Sequence, residues 1–73
     1  MNSMYVKTKV PIREFSGRIL GWIEDDGQGN QQIRDFVGHI LGSYRKSEDK
    51  TRDFYGRIVG SGNLLTMLLT TNK

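Results

Sequence analysis

Arginine side chains recur at related positions in this chain and are its best candidates for binding chemistry. A row of guanidinium groups can follow the phosphates of a nucleic acid, and bases can stack on aromatic side chains such as Trp22, Tyr44 and Tyr55. One hypothesis is therefore an anion-binding surface. Its candidate residues are Arg13, Arg18, Arg34, Arg52 and Arg57.

Acidic side chains next to these arginines suggest a plainer role for them. Glu14, Asp35 and Asp53 each follow one arginine of the series and would neutralise much of its charge. Exposed pairs of this kind contribute about 0 to 1 kcal/mol each. We expect structural pairing, and nucleic-acid binding is kept as the alternative.

The chain offers little for catalysis or metal binding. It has no Cys and one His, His39, at a position where related segments of the chain carry Arg. The acidic segment at residues 25–30 lacks the ligand spacing of a calcium loop. We predict no catalytic residue, no metal site and no cofactor.

A ten-residue segment occurs three times and indicates how the arginines are positioned. The copies are IREFSGRILG at residues 12–21, IRDFVGHILG at 33–42 and TRDFYGRIVG at 51–60. Arg, Phe, Gly, Ile and Gly occupy columns two, four, six, eight and ten in all three copies. Self-similarity at a period near 20 residues indicates one supersecondary unit copied along the chain.

Each copy has the chemistry of a tight hairpin turn. An acidic residue in column three can accept a hydrogen bond from a backbone N–H two residues on, and Gly in column six can adopt a positive φ. The predicted turn residues are Glu14, Gly17, Asp35, Gly38, Asp53 and Gly56. Glu14 should close its turn less well, because its side chain is longer. Phe15, Phe36 and Phe54 share one turn position, and we expect them to form a row or cluster with a common burial role; a row on which a ligand stacks is the alternative.

The hairpins predict a mostly antiparallel sheet. Strands are expected over residues 4–9, 12–15, 18–24, 31–36, 39–45, 50–54 and 57–59, with Pro11 marking an edge or a break in pairing. Residues 63–71 are rich in Leu and predict a short apolar helix, capped by Asn63 or Ser61, that must dock on the sheet. A final strand is the alternative for this segment.

The size of the chain favours self-association. Seventy-three residues form one domain, residues 1–73, with a small core, and the absence of Cys excludes disulfides as a source of stability. If column one faces column nine across each hairpin, adjacent aliphatic residues point to opposite faces of the sheet. One helix covers one face, so a second copy would cover the other. The candidate interface residues are Ile19, Leu20, Ile40, Leu41, Ile58, Val59, Leu64, Leu65, Leu68 and Leu69.

The unit R-[DE]-F-x-G-[RH]-I-[LV]-G resembles the repeat of a group of short bacterial proteins, and the resemblance covers about two-thirds of the chain. It implies a bacterial β-rich protein and supplies no catalytic residue. Some similar proteins carry the label 3-oxoacyl-(acyl-carrier-protein) synthase. That chemistry needs a thiolate nucleophile with supporting His or Asn partners in a far larger fold, and this chain has no Cys.

Together these features predict a mainly β protein, an antiparallel meander of three repeated hairpins with a short apolar C-terminal helix. The expected function is a non-enzymatic self-associating or protein-binding module, with a homodimer as the favoured assembly. The net charge of +3 permits an anionic partner without requiring one. The absence of a membrane-span pattern and of a secretory signal predicts a cytoplasmic location without a membrane partner.

Overall fold

The sheet follows the chain in order, strand beside strand. The computed structural model describes residues 5–71, and the side chains of residues 5–69. The strands are β1 (Thr8–Arg13), β2 (Ile19–Asp25), β3 (Gln31–Asp35), β4 (Ile40–Arg45), β5 (Lys50–Asp53) and β6 (Ile58–Ser61), followed by the helix α1 (Leu65–Thr71). All neighbouring strands pair antiparallel, in the order β1 to β6. The predicted hairpin meander with a C-terminal helix is confirmed, and the final-strand alternative is wrong.

The first two expected strands are one strand. β1 runs through Pro11, which lies opposite Trp22 of β2. Proline is tolerated there because β1 is an edge strand and the side of the strand that lacks the donor can face solvent. The predicted break is therefore wrong and the predicted edge is confirmed. Residue 4, the expected start of the first strand, lies outside the described residues.

The repeated turns close by the same backbone hydrogen bond. The N–H of the column-six Gly donates to the carbonyl of the column-three acidic residue, at 2.8 Å in the first turn, 3.0 Å in the second and 2.9 Å in the third. These glycines have φ values of +97°, +107° and +85°, which favour glycine over other residues. The chain therefore reverses at each copy of the repeat.

A β-bulge in each hairpin corrects the expected pairing of the columns. Column two faces column eight as predicted, for example Arg34 opposite Ile40. Column one, however, lies opposite the Gly of column ten, as Ile33 does opposite Gly42, and not opposite column nine. The bulge leaves the column-nine residue as the extra residue of its strand. The prediction that adjacent aliphatic residues face opposite sides of the sheet therefore loses its basis.

The column-ten glycines form the surface on which α1 docks. A Cβ built on each of these glycines would crowd a leucine of the C-terminal segment: Leu69 at Gly21, Leu68 at Gly42 and Leu64 at Gly60. α1 packs mainly on β3 and β4, in the middle of the sheet. Column ten of the repeat thus aligns glycines on neighbouring strands, and the leucines of the C-terminal segment occupy the space that larger side chains would fill.

The core is small and uses part of the predicted interface. Among the described residues the buried hydrophobic side chains are Ile33 and Leu65, both at 0% exposure. Leu65 is therefore a core residue of its own chain, and the expectation that it lies in an interface is corrected. The other candidates differ in exposure: Ile58 and Val59 are exposed, while Ile19, Leu20, Ile40, Leu41, Leu64, Leu68 and Leu69 are partly buried.

Thr51 joins the sheet to the helix. It is the column-one residue of the third copy, where the other copies have Ile, and it is fully buried. Its hydroxyl donates to the carbonyl of Gly62 at 2.6 Å and accepts from the N–H of Leu64 at 2.9 Å. The side chain of Asn63 accepts from the N–H of Leu65 at 3.2 Å, so it acts as the predicted N-cap. These bonds set where the chain leaves the sheet and begins α1.

We predict that Gly42→Ala destabilises the protein more than Gly60→Ala. A methyl group at Gly42 would meet the backbone carbonyl of Arg52 as well as Leu68, whereas at Gly60 it would meet only the end of the Leu64 side chain, at 2.7 Å. Overpacking of this kind costs about 1–3 kcal/mol where the neighbour is unable to move. Urea denaturation of the two variants measures the difference. Equal losses would contradict docking on a backbone-lined surface.

Candidate functional site

The three repeated turns lie together at one end of the sheet. Because the strands alternate in direction, the turns at residues 14–17, 35–38 and 53–56 all join strands at the same end. Neighbouring turns are two strands apart, or about 10 Å at the usual strand spacing. We call these twelve residues the turn row. It displays three variants of one local structure side by side.

The turn row exposes large apolar side chains. Phe15 is fully exposed, and Phe36 and Phe54 keep 69% and 68% of their surface in contact with solvent. The expectation that these rings pack together is wrong. They occupy the second turn position, beyond the ends of the strands, and α1 packs further back on β3 and β4. Val37 and Tyr55 extend the exposed apolar surface, and the Tyr55 ring meets Phe54 edge-on at 5.4 Å.

The turn carboxylates are held inward by backbone donors. Asp35 Oδ1 accepts hydrogen bonds from the N–H groups of Val37, Gly38 and His39 at 3.0, 2.8 and 2.9 Å. Asp53 Oδ1 accepts from Tyr55 and Arg57 at 2.9 and 3.0 Å. In the first turn, Glu14 Oε1 accepts no hydrogen bond in the described part of the chain. Its longer side chain leaves this turn without the bonds that brace the other two.

These bonds lower the pKa of both aspartates. Burial by itself would raise the pKa of Asp35, but the N–H donors of His39, Gly38 and Val37 outweigh it and hold the pKa below its usual value of 3.8. At Asp53, burial again acts upwards, and the N–H groups of Arg57 and Tyr55 with the Arg57 charge lower the pKa below 3.8. Both groups are therefore ionised at neutral pH.

Each turn carboxylate also has a basic residue four positions on, and the basic side chain is the more exposed partner. The pairs are Arg18 with Glu14, His39 with Asp35 and Arg57 with Asp53, at 3.3, 3.4 and 3.3 Å. The basic side chains are 74%, 77% and 75% exposed, and their acidic partners 31%, 19% and 24%. The basic side chains that directly follow the turn row are therefore the solvent-facing ends of these pairs.

The column-two arginines brace the turns from behind. Arg13, Arg34 and Arg52 each donate from Nη1 to the carbonyl of the turn Gly four residues on, at 2.9, 2.7 and 2.9 Å. Arg34 additionally donates from Nε to Glu24, a carboxylate that is only 6% exposed. The repeated arginine therefore has a repeated structural partner, which is a backbone carbonyl and not the adjacent acidic residue.

The two arginine series lie on different sides of the sheet. Ile33 pairs with Gly42 on the face that α1 covers, so its neighbour Arg34 points to the opposite face. Asp35, one residue further, returns to the helix side, where it pairs with Gly21. Arg18 and Arg57 pair with turn carboxylates and therefore lie on the side of those carboxylates. Arg13 and Arg52 occupy the same repeat column as Arg34 and lie on its side of the sheet. The candidate anion-binding residues therefore do not form one continuous array.

A groove lies beside the second and third turns, where the turn row meets the helix. It has a volume of about 650 Å³ and an apolar lining that includes Leu41, Phe54, Tyr55 and Leu68. The rest of the lining consists of Ile40 and two ion pairs, Asp35 with His39 and Asp53 with Arg57. Arg57 also lies over the Tyr55 ring at 5.3 Å from its centre. The groove is suited to an apolar group that has a polar or charged neighbour.

The chain has no match among known protein families, curated proteins or solved structures. Within residues 5–71, the acidic and histidine side chains form no group of three or more that could hold a metal ion. Among the described residues no helix has the length and apolar character needed to cross a membrane. The proposed function must therefore come from the turn row and the groove.

Sequence reasoning identified the turn residues but missed the groove. The repeated column pattern of the chain identified Asp35 and Asp53 and their basic partners, His39 and Arg57. It gave no sign that Leu68 of α1 would line the same groove as Phe54, because the two segments meet only through the docking of the helix. The variable column-five residues were a usable signal, since Val37 and Tyr55 are apolar where Ser16 is polar.

We predict that Arg34→Ala lowers stability more than Arg13→Ala. Both changes remove a hydrogen bond to a turn carbonyl, but Arg34→Ala also removes the hydrogen-bonded guanidinium from the buried Glu24 carboxylate, which keeps the bond from Gln32 at 2.6 Å and the nearby charge of Lys9. Loss of a partner from a buried group costs about 1–3 kcal/mol, and an exposed contact such as that of Arg13 costs less than about 1 kcal/mol. Chemical denaturation measures both. An equal loss of unfolding free energy in Arg13→Ala would show that Arg34 does not stabilise the Glu24 carboxylate.

We predict that the melting temperature falls as pH drops below about 4, and that Asp35→Asn reduces this fall. The pKa of Asp35 in the folded protein lies below its ordinary value of 3.8, so the carboxylate stabilises the fold above that value. The contribution disappears as pH falls through the lowered pKa and the group binds a proton. Circular dichroism melts of the wild type and of Asp35→Asn between pH 3 and pH 7 measure the effect. An unchanged pH profile in Asp35→Asn would contradict it.

Proposed function

We propose that the protein is a non-enzymatic protein-binding module that uses the groove beside the second and third turns. The observation that carries the proposal is the exposure of Phe54 and Tyr55, two large rings that line this groove. Large exposed apolar surfaces with a polar rim are typical of interaction sites on soluble proteins. Aromatic and arginine side chains are also enriched among the residues that dominate binding energy at interfaces.

Charge indicates the chemistry of the partner. The exposed ends of the ion pairs beside the groove are those of His39 and Arg57, whereas their carboxylate partners are turned towards backbone N–H groups. A partner with an apolar side chain next to an Asp or Glu would place the apolar group between Leu41 and Tyr55 and the carboxylate near Arg57. The proposed ligand is therefore an acidic, apolar segment of another protein.

The titratable groups of the site support binding more than catalysis. Asp35 and Asp53 have lowered pKa values and their oxygens already accept backbone hydrogen bonds, so neither is set up to take up a proton near neutral pH. His39 is exposed and lies against Asp35. Nothing in this arrangement favours a general base or a nucleophile.

Nucleic-acid binding by the arginines stays the alternative. The bracing bonds of Arg13, Arg34 and Arg52 and the separation of the two arginine series favour a structural role for them. The Arg13→Ala and Arg34→Ala variants, whose stability is compared above, also distinguish nucleic-acid binding from protein binding. A phosphate-binding role requires salt-sensitive binding of a single-stranded oligonucleotide that these changes abolish.

We predict that peptides selected on the protein contain an aromatic or aliphatic residue beside Asp or Glu, and that the groove variant Phe54→Ser/Tyr55→Ser weakens their binding at least about tenfold. Both rings line the groove and are largely exposed, so their loss should leave the melting temperature nearly unchanged. A displayed library of short random peptides supplies the probes, and fluorescence anisotropy measures their affinity.

The matched control is Phe15→Ser. Phe15 has the same turn position and is exposed, but it does not line the groove. Its loss should leave peptide binding within about twofold of the wild type, since it removes no contact in the groove. Selection of peptides without this pattern, or equal weakening by the control, would overturn the proposed site.

A further inference from the structure

The two edges of the open sheet are not alike. β1 is protected against pairing with another strand, because it contains Pro11 and Lys9 and is preceded directly by Lys7. Proline lacks a donor, and lysines on an edge disfavour the approach of another strand. The β1 edge therefore has the devices with which β proteins prevent self-pairing.

The β6 edge lacks proline and lysine, although its strand is four residues long and contains the bulge at Val59. Its residues, Ile58 to Ser61, include no proline and no charged side chain. Ile58 and Val59 are 52% and 37% exposed. β5 is its neighbour on one side, and α1 packs mainly on β3 and β4. Among the described residues, the outer side of β6 is consequently an uncovered and partly apolar strand edge, with Lys50 Nζ 3.4 Å from Ser61 Oγ at its end.

We propose that β6 pairs antiparallel with β6 of a second copy of this chain, about a twofold axis. Pairing of β6 with β1 of the next copy would continue without end and would meet Pro11, whereas pairing of β6 with itself uses one surface twice and closes at the dimer. The core of the single chain, centred on Ile33 and Leu65, is small, so the burial of further apolar surface in a dimer would stabilise the fold.

The symmetry fixes the shape of the dimer. Two antiparallel edge strands in one sheet are related by an axis normal to the sheet, so the six-stranded sheets join into one of twelve strands with both helices on the same face. The two turn rows then lie at opposite ends and face in opposite directions. If the groove beside the turn row binds a protein, which rests on the proposed function, the dimer joins two partner molecules.

The test is the mass of the protein in solution by size-exclusion chromatography with light scattering. The wild type should have twice the 8.4 kDa mass of the chain. The variant Ile58→Lys/Val59→Lys should be monomeric, because the twofold axis brings the new charges of the two copies together. The matched control is Val6→Lys/Val10→Lys at the β1 edge, where the side chains are 39% and 58% exposed, and it should stay dimeric.

Single-cysteine variants give a readout that does not depend on the lysine variants folding. The chain has no Cys, so a disulfide can form only between copies. Cysteines placed one at a time at Ile58, Val59, Gly60 and Ser61 should give a linked dimer at the position nearest the axis, where the Cα atoms come within about 7 Å. Val10→Cys should give none.

Three results would overturn the proposal. They are a monomeric wild type across the concentration range, a ladder of larger masses, and a dimer that the β1 variant dissociates and the β6 variant does not. Each of these results is independent of peptide binding to the groove, which is measured on its own by anisotropy. A monomer that still binds the selected peptides would keep the proposed function and remove the dimer.

Discussion

The fold depends on the contact between the leucines of the C-terminal segment and the bare backbone of the sheet. A six-stranded sheet of this size needs one covered face, and within residues 5–71 the short helix α1 is the element that covers it. Glycine in column ten lets Leu64, Leu68 and Leu69 approach the strands closely, and Leu65 is buried in the same layer. Without that approach α1 would be too short to persist in water. The repeat thus provides a docking surface as well as hairpins.

The three copies keep the same turn and differ where they meet the rest of the molecule. Thr51 replaces an Ile at the one position where a buried hydroxyl can direct the chain into α1. Glu14 replaces Asp in the first turn, and its carboxylate atom Oε1 consequently lacks the hydrogen bonds that Asp35 and Asp53 accept from backbone N–H groups. Tyr55 and Arg57 give the third turn an aromatic and cationic surface beside the groove. Departures from the repeat therefore mark the positions with individual roles.

Charge is arranged so that each turn is stable and still available for binding. The carboxylates of Asp35 and Asp53 accept backbone hydrogen bonds and are turned inward, while their partners His39 and Arg57 extend into solvent. The column-two arginines hold the turn carbonyls from the opposite face. Rigid turns lower the entropy lost when a partner orders them. The exposed rings thus lie on a preorganised support.

The hairpins, their turn residues and the apolar helix could be predicted from the sequence, because the acidic residue and the Gly of each turn bond within four positions of the chain and the leucines of the helix are close together. The other features arise from packing. The exposure of Phe36 and Phe54, the burial of Leu65 and the continuity of β1 through Pro11 depend on where α1 docks and on which strands have a neighbour. Those are relations between segments distant in the chain. A repeat shows that its copies share a local structure, and only packing shows which of their side chains it covers.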